Sequence, residues 1–305
     1  MKIKDLFRKN KTLLSFEIFP PKKDYPIDTI YHTIEELKDL EPDYISVTYG
    51  AGGTSRDRTV EIASKIKNEY NIEALAHLTC IASTSKEINN IISSLRENNI
   101  TNILALRGDM PESGGDDAVS EEYTYARDLI DQINKKGNFS IGAACYPEGH
   151  MECSNRIQDI KYLKEKVNSG VDFLITQLFF DNELFYRFME ELELAGIDVP
   201  VSAGIMPVLN AKQILRIQKL SGCSIPPKFK RILDKYEHNP EALKEAGQAY
   251  ALEQIIDLMA WGIDGIHLYT MNKSETARKI AENIKTIRKI SNKNTIETIG
   301  DRNEY

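Results

Sequence analysis

LLSFEIFPPK, residues 13–22, is a short β-prone run closed by two prolines. Successive side chains of a strand point to opposite faces. Leu14, Phe16 and Ile18 therefore make one large apolar face, and Leu13, Ser15, Glu17 and Phe19 make the other. Pro20 and Pro21 end the strand, because proline cannot donate to a central ladder. The oddity is Glu17. A carboxylate is almost never buried without a partner or a task.

The remaining chain says what kind of strand this is. Seven further runs resemble it: YISVTY (44–49), EALAHLT (73–79), NILALRG (102–108), SIGAACYP (140–147), FLITQLFF (173–180), PVSAGIMP (200–207) and GIHLYTM (265–271). The first seven of the eight start roughly 30 residues apart, the length of a βα unit. Helix-period segments lie between them, at 27–40, 56–70, 124–136, 156–169, 182–195, 210–221 and 274–290. The clearest is TSKEINNIISSLRENN, where Thr84 and Glu87 form a capping box ahead of Ile88, Ile91, Ile92 and Leu95. The interval before the last strand is about twice as long as the others and holds two extra helical segments, SIPPKFKRILDKY and NPEALKEAGQAYALEQIIDLMAW. Eight βα units predict an α/β protein of the (β/α)8 TIM-barrel class with extra helices between strands seven and eight. Residues 1–291 form one catalytic domain in this reading and 292–305 a polar, frayed C-terminal tail; a doubly wound α/β pair is the alternative.

Bulk properties narrow the function. The 305 residues are 41% hydrophobic and 28% charged, the balance of a soluble globular protein. A net charge of −7 argues against nucleic-acid binding, which wants clustered Lys and Arg. No apolar run has the length of a membrane span, and MKIKDLFRKN lacks the apolar core of a signal peptide, so the expected compartment is the cytoplasm. Cys80, Cys145, Cys153 and Cys223 form no C-x-x-C pair and read as reduced thiols.

In a barrel, functional groups collect at the C-terminal strand ends. Glu17 then points inward near that mouth, where lost hydration raises its pKa and makes it a candidate general acid. An inward Glu paired with an Arg or Lys is the competing reading. Polar residues recur at the other strand ends: Thr48 and Tyr49 before the glycine-rich GAGG (50–53), His77, Arg107-Gly108-Asp109, Tyr146, Gln177, Tyr269, Thr270 and Asn272-Lys273. Arg107 suits a phosphate or ring contact and Asp109 a place near a reacting ring; an Arg–Asp pair closing the strand is the plainer reading. The loop after strand five carries Glu148, His150 and Glu152, and a metal there would lack a second histidine. On the following helix Asp159, Tyr162 and Lys166 share a face, beside an apolar stripe of Ile160, Leu163 and Val167.

Taken in order, SFEIFPPK, VTYGAGG, AHLTC, LALRGD, YPEGH, TQLFFD and GIMP closely resemble the flavin-dependent methylenetetrahydrofolate reductases, over essentially the whole chain. The resemblance implies a barrel with non-covalent FAD at its mouth, NADH or NADPH as hydride donor, and ping-pong reduction of 5,10-methylenetetrahydrofolate to 5-methyltetrahydrofolate, in one-carbon metabolism leading to methionine. It implies that Glu17 is the acid that protonates the folate N10, that Asp109 stabilises the resulting cation, and that Gln177, Gln213 and Lys273 contact substrate. FAD contacts carry over to Thr48, Tyr49, Ala51, His77, Arg107, Gly108, Asp109, Tyr125, Ala126, Tyr146, His150, Asp159 and Lys166. Two positions depart from the pattern: Lys273 stands where an Arg is expected, and Ile217 where an aromatic would stack on substrate. No metal is implied; a homo-oligomer is expected. Two other readings remain, another FAD-dependent barrel oxidoreductase of the proline-dehydrogenase kind and a reductase subunit that needs an electron-transfer partner protein.

Overall fold

All eight apolar runs are strands: β1 (Leu13–Ile18), β2 (Tyr44–Val47), β3 (Glu73–Thr79), β4 (Asn102–Leu106), β5 (Ser140–Cys145), β6 (Phe173–Thr176), β7 (Val201–Ile205) and β8 (Gly265–Tyr269). They come from a computed structural model that describes residues 1–9, 11–21, 25–49, 56–109 and 122–300, the side chains of residues 56, 57, 211, 215, 220 and 293–300 excepted. Each strand pairs in parallel with the next, and β8 pairs with β1, so the sheet closes into a barrel. That closure excludes the doubly wound alternative, whose sheet would have two open edges.

The helices are α1 (Ile3–Phe7), α2 (Asp28–Lys38), α3 (Arg56–Asn68), α4 (Ser85–Glu97), α5 (Ala126–Lys136), α6 (Arg156–Asn168), α7 (Asn182–Leu194), α8 (Ala211–Ser221), α9 (Pro227–Tyr236), α10 (Pro240–Trp261) and α11 (Ser274–Gly300). The capping box of Thr84 and Glu87 opens α4 as its sequence requires. The long interval before β8 holds α8, α9 and α10. Two features depart from the sequence reading. Helix α1 is too short to give a periodic signal. The last helix runs to Gly300 rather than stopping near residue 290, and the Asn292 side chain accepts a hydrogen bond from the Thr12 amide at 2.9 Å, so the expected tail begins as helix.

The apolar residues divide into three clusters, each with a different job. The largest lies between barrel and helices and takes Leu14, Phe16 and Ile18 from β1, as their alternation requires. A second fills the barrel floor, where Ile3, Leu6 and Phe7 of α1 plug the ring against Leu13, Tyr44, Leu75, Leu104, Phe173 and Ile175. The third sits under α8, α9 and α10 and includes Met206, Ile217, Phe229 and Tyr250. With the floor stoppered by hydrocarbon, polar inward residues are left to the opposite end.

Helix α10 rests on the loop after β7 so closely that a Cβ on Gly247 would lie 1.8 Å from the Val208 carbonyl oxygen. Gly247→Ala should lower stability by about 2 kcal/mol, because the displaced helix outweighs the gain in helix propensity. Urea unfolding of the two proteins measures this. A variant as stable as the parent would mean that α10 does not bear on that loop.

Candidate active site

Strand register sets the first group. Glu17 lies opposite Ser46 on β2 and Tyr269 on β8, while Ser15 lies opposite His267. His77 projects from β3 into the same interior. The result is a carboxylate between two imidazoles: His267 Nε2 is 3.3 Å and His77 Nε2 3.5 Å from Glu17 Oε2. Each imidazole also meets a buried serine, His267 on the nitrogen away from Glu17 and His77 on the nitrogen that faces it. Ser15 Oγ is 2.8 Å from His267 Nδ1, and Ser46 Oγ is 2.9 Å from His77 Nε2. With its proton on Nε2, His267 donates to Glu17 and accepts from Ser15 at Nδ1. Tyr44 stacks on the His267 ring and Tyr269 meets it edge-on, so the ring has little freedom to turn.

The backbone of Glu17 is fixed from β8 as well. Its carbonyl accepts from the Thr270 hydroxyl at 2.6 Å, and the Asn272 side chain bonds both the amide and the carbonyl of Phe19. Met271 and Asn272 have φ values of 52° and 54°, and this tight left-handed turn brings the Asn272 amide back over β1.

The inward, partnered carboxylate agrees with the sequence reading; its partners and its protonation do not. Among the described residues no Arg or Lys pairs with it. Burial pushes the Glu17 carboxyl up, yet the His267 hydrogen bond, the His77 and His267 imidazoles and the Ser46 hydroxyl together hold it below the ordinary carboxylate value. Burial pushes His77 down to about 4, against the pull of Glu17. Near neutrality the pair is therefore an ionised Glu17 beside a neutral His77, which overturns the protonated carboxyl expected from burial alone.

A second group forms a rim at the ends of β4 and β5. Arg107 donates to both oxygens of Glu152, at 2.6 Å each. His150 packs edge-on against Tyr146 at 4.7 Å, and its amide donates to Asp159. Lys166 Nζ donates to the Ala144 carbonyl at 2.6 Å; burial lowers the lysine's pKa, while Cys145 and Asp159 pull it back. Burial, helped by Cys145, Asp109 and Asp159 and opposed by Arg107, drives the Tyr146 phenol up to about 12. Asp109 is exposed at the end of β4, close enough for its charge to act on Arg107 and Tyr146. Gly108, between them, has φ +91°, and a Cβ there would come within 3.0 Å of Thr79 Cβ, so the turn requires glycine. Tyr269, whose phenol burial raises well above its ordinary value, feels both Glu17 and Tyr146 and so lies between the two groups.

The other sequence-derived residues are more scattered. Thr48 and Tyr49 follow β2 at the mouth; Tyr125 caps α5 and Ala126 opens it, both outside the barrel ring. Gln177 follows β6, and its side-chain oxygen accepts from the Leu178 amide. Gln213 is turned into the first turn of α8, accepting from the Leu209 amide, and Lys273 is exposed after β8. Ile217 is buried in the cluster under α8–α10. Ala51 and the GAGG turn lie outside the described residues. Among the described residues no group of three or more potential metal ligands gathers; Glu148 and Glu152 diverge, the first to the Ser224 amide, the second to Arg107.

Sequence reasoning missed His267 and Ser46. Each stands on a strand run, His267 two residues before Tyr269 and Ser46 two before Thr48, but only closure of the barrel brings them beside Glu17.

Comparison with known proteins was made against this geometry. The family model described as methylenetetrahydrofolate reductase matches residues 2–285. The chain is 36% identical over 271 residues to the 5,10-methylenetetrahydrofolate reductase of Escherichia coli K12, covering 89% of this chain and 90% of that one. Against the enzyme of Pectobacterium carotovorum the figures are 35% identity and 89% of each chain. It is also 36% identical to methylenetetrahydrofolate reductase (NADH) 1 of Arabidopsis thaliana, of which it spans half the length. Among solved structures, a Clostridium thermocellum protein that binds two copies of 5-methyl-5,6,7,8-tetrahydrofolic acid shares the fold, with a TM-score of 0.65 at 17% identity over 94% of this chain and 100% of that one. With the family model matched over residues 2–285 and bacterial reductases 35–36% identical over about nine-tenths of each chain, this chain belongs to the methylenetetrahydrofolate reductase family.

Proposed function

We propose that this protein reduces 5,10-methylenetetrahydrofolate to 5-methyltetrahydrofolate in a ping-pong cycle, using FAD held at the barrel mouth and NADH or NADPH as donor. The observation that carries the reading is the Glu17 carboxylate held between two imidazoles at the C-terminal end of the barrel. The rim suits a dinucleotide. Arg107 is a partly exposed guanidinium, and Lys166 is a cation under-neutralised by its burial, so an anionic phosphate nearby would relieve it. Arg107, Gly108, Tyr146, His150, Asp159 and Lys166 would hold that group, with Thr48, Tyr49, Ala51, His77, Asp109, Tyr125 and Ala126 completing the contacts. FAD held there would supply the hydride-transfer chemistry between the reduced nicotinamide and the folate.

The remaining chemistry belongs to the side chains. Glu17 gives its proton to folate N10; the bond from N10 to the methylene carbon breaks, its electron pair stays on N10, and the N5 lone pair makes the methylene iminium. Hydride addition at that carbon leaves the N5-methyl product. Asp109 supplies negative charge that favours the cation. Gln177, Gln213 and Lys273 orient the folate; Gln177 and Gln213 must release their present amide partners to do so. Glu17 lacks the proton when the mouth is open. Folate stacked across the mouth strips away the remaining hydration and raises the carboxyl toward protonation, with His267 and His77 the nearest titratable neighbours. We place the enzyme in the cytoplasm as a homo-oligomer serving methionine synthesis; among the described residues no helix is long and apolar enough to cross a membrane.

Three outcomes follow. Glu17→Gln should keep flavin and its reduction by nicotinamide while slowing folate reduction by at least about 10²-fold, the scale of a lost general acid; anaerobic stopped-flow of each half-reaction separates them, and equal loss in both removes the acid role. In the wild type, kcat/KM for folate should fall about tenfold for each pH unit between pH 6 and 8, because a carboxyl held below its ordinary value is ever more rarely protonated in the free enzyme. A plateau across pH 7 would instead mean that burial prevails over the imidazoles. Asp109→Asn should slow the folate half-reaction on the order of 10²-fold and leave flavin content intact, as scored by absorbance and single-turnover rates.

A further inference from the structure

The Glu152 carboxylate has no task in the chemistry above, yet it engages the rim more tightly than any other group described there. We propose that Glu152 is an internal competitor for the cofactor: it occupies the phosphate-binding face of Arg107 and must let go before the dinucleotide can seat. The inference rests on the FAD reading given above.

Geometry makes the argument. Arg107 is anchored at its backbone, where its carbonyl accepts from the amides of Cys80 and Ile81, so the guanidinium is presented from a fixed point at the end of β4. Its two terminal nitrogens each meet a separate Glu152 oxygen at 2.6 Å. That parallel fork is the arrangement by which a guanidinium grips a phosphate, so carboxylate and phosphate compete for one face. Neither of the other rim cations makes such a two-oxygen fork. Lys166 is held by the Ala144 carbonyl, and Arg156 by the carbonyls of Tyr146 and Pro147, by Asp159 and by Glu191.

Glu152 is also built to leave. Its side chain is 59% exposed, against 24% for Arg107, so the carboxylate rehydrates at little cost when displaced while the guanidinium stays behind. It sits on the loop between β5 and α6, and its amide donates to His150 Nδ1 at 3.2 Å, a contact that does not depend on the pairing. Arg107 released from Glu152 is left partly desolvated, and a doubly charged pyrophosphate is the ligand that best replaces what it lost.

The test is a titration of the full-length protein, freed of flavin by dialysis, with FAD and separately with riboflavin, which carries no phosphate. Glu152→Gln should bind FAD about three- to tenfold more tightly than the wild type, the range of one partly exposed bidentate pair. Riboflavin affinity should stay unchanged, and the gain should vanish in an Arg107→Gln background. FAD affinity that is unchanged or weaker in Glu152→Gln overturns the competitor role and leaves the FAD reading standing. An equal gain for riboflavin also overturns it, since the effect would then bypass the phosphates. A wild-type protein that binds neither flavin defeats the FAD reading itself, and this inference with it.

Discussion

One carboxylate set between two imidazoles inside a ring of strands is the constraint around which this molecule is arranged. Its position could not be kept by Glu17 alone. A glutamate on a single strand would swing toward water; here His267 from β8 and His77 from β3 hold its head, Thr270 holds its carbonyl and Asn272 holds the backbone of Phe19 two residues on. The imidazoles do not have to be charged to do this. A neutral ring still donates one hydrogen bond; Ser15 behind His267 sets which of its nitrogens faces the carboxylate, and Ser46 meets the same His77 nitrogen that faces Glu17.

Burial and partnership pull the same group in opposite directions, and magnitude decides. Removing a carboxylate from water favours the neutral acid, whereas each hydrogen bond to the anion favours the charged form. At Glu17 several modest partners outweigh one large penalty. In the proposed reaction Glu17 would therefore depend on its ligand to arm it, a different device from a residue poised in advance by an apolar pocket. The barrel makes that possible by separating its ends: α1 and the large side chains of the floor exclude water below, so only what arrives at the mouth can alter the balance.

Most of this was legible in the sequence where a period or a rare residue carried the signal. The eight strands announced themselves because parallel barrel strands are apolar on both faces and bounded by turns, and Glu17 stood out against that background. The capping box of α4 was explicit in Thr84 and Glu87. What stayed hidden was what depends on closure. His267 lies 250 residues from Glu17 and is brought beside it only by the register of β8 against β1. The Arg107–Glu152 fork is equally invisible, since its halves come from different βα loops. Helix α1 is five residues long, too short for any periodicity to show. The direction of the Glu17 titration failed for the same reason: desolvation can be read from one strand, but the imidazoles that oppose it arrive from two others.

The seam where β8 meets β1 has a consequence for the order of events during synthesis. Strands two to five, with Arg107, Tyr146, His150 and Lys166, leave the ribosome long before residues 265–272 exist. A nascent chain can thus assemble the rim while Glu17 still lacks His267, Thr270 and Asn272, and while the first strand has an unpaired edge. Glu17 acquires its setting only when the last strand is translated, so a chain cut short before residue 265 would lose that carboxylate's environment while retaining the residues of the rim.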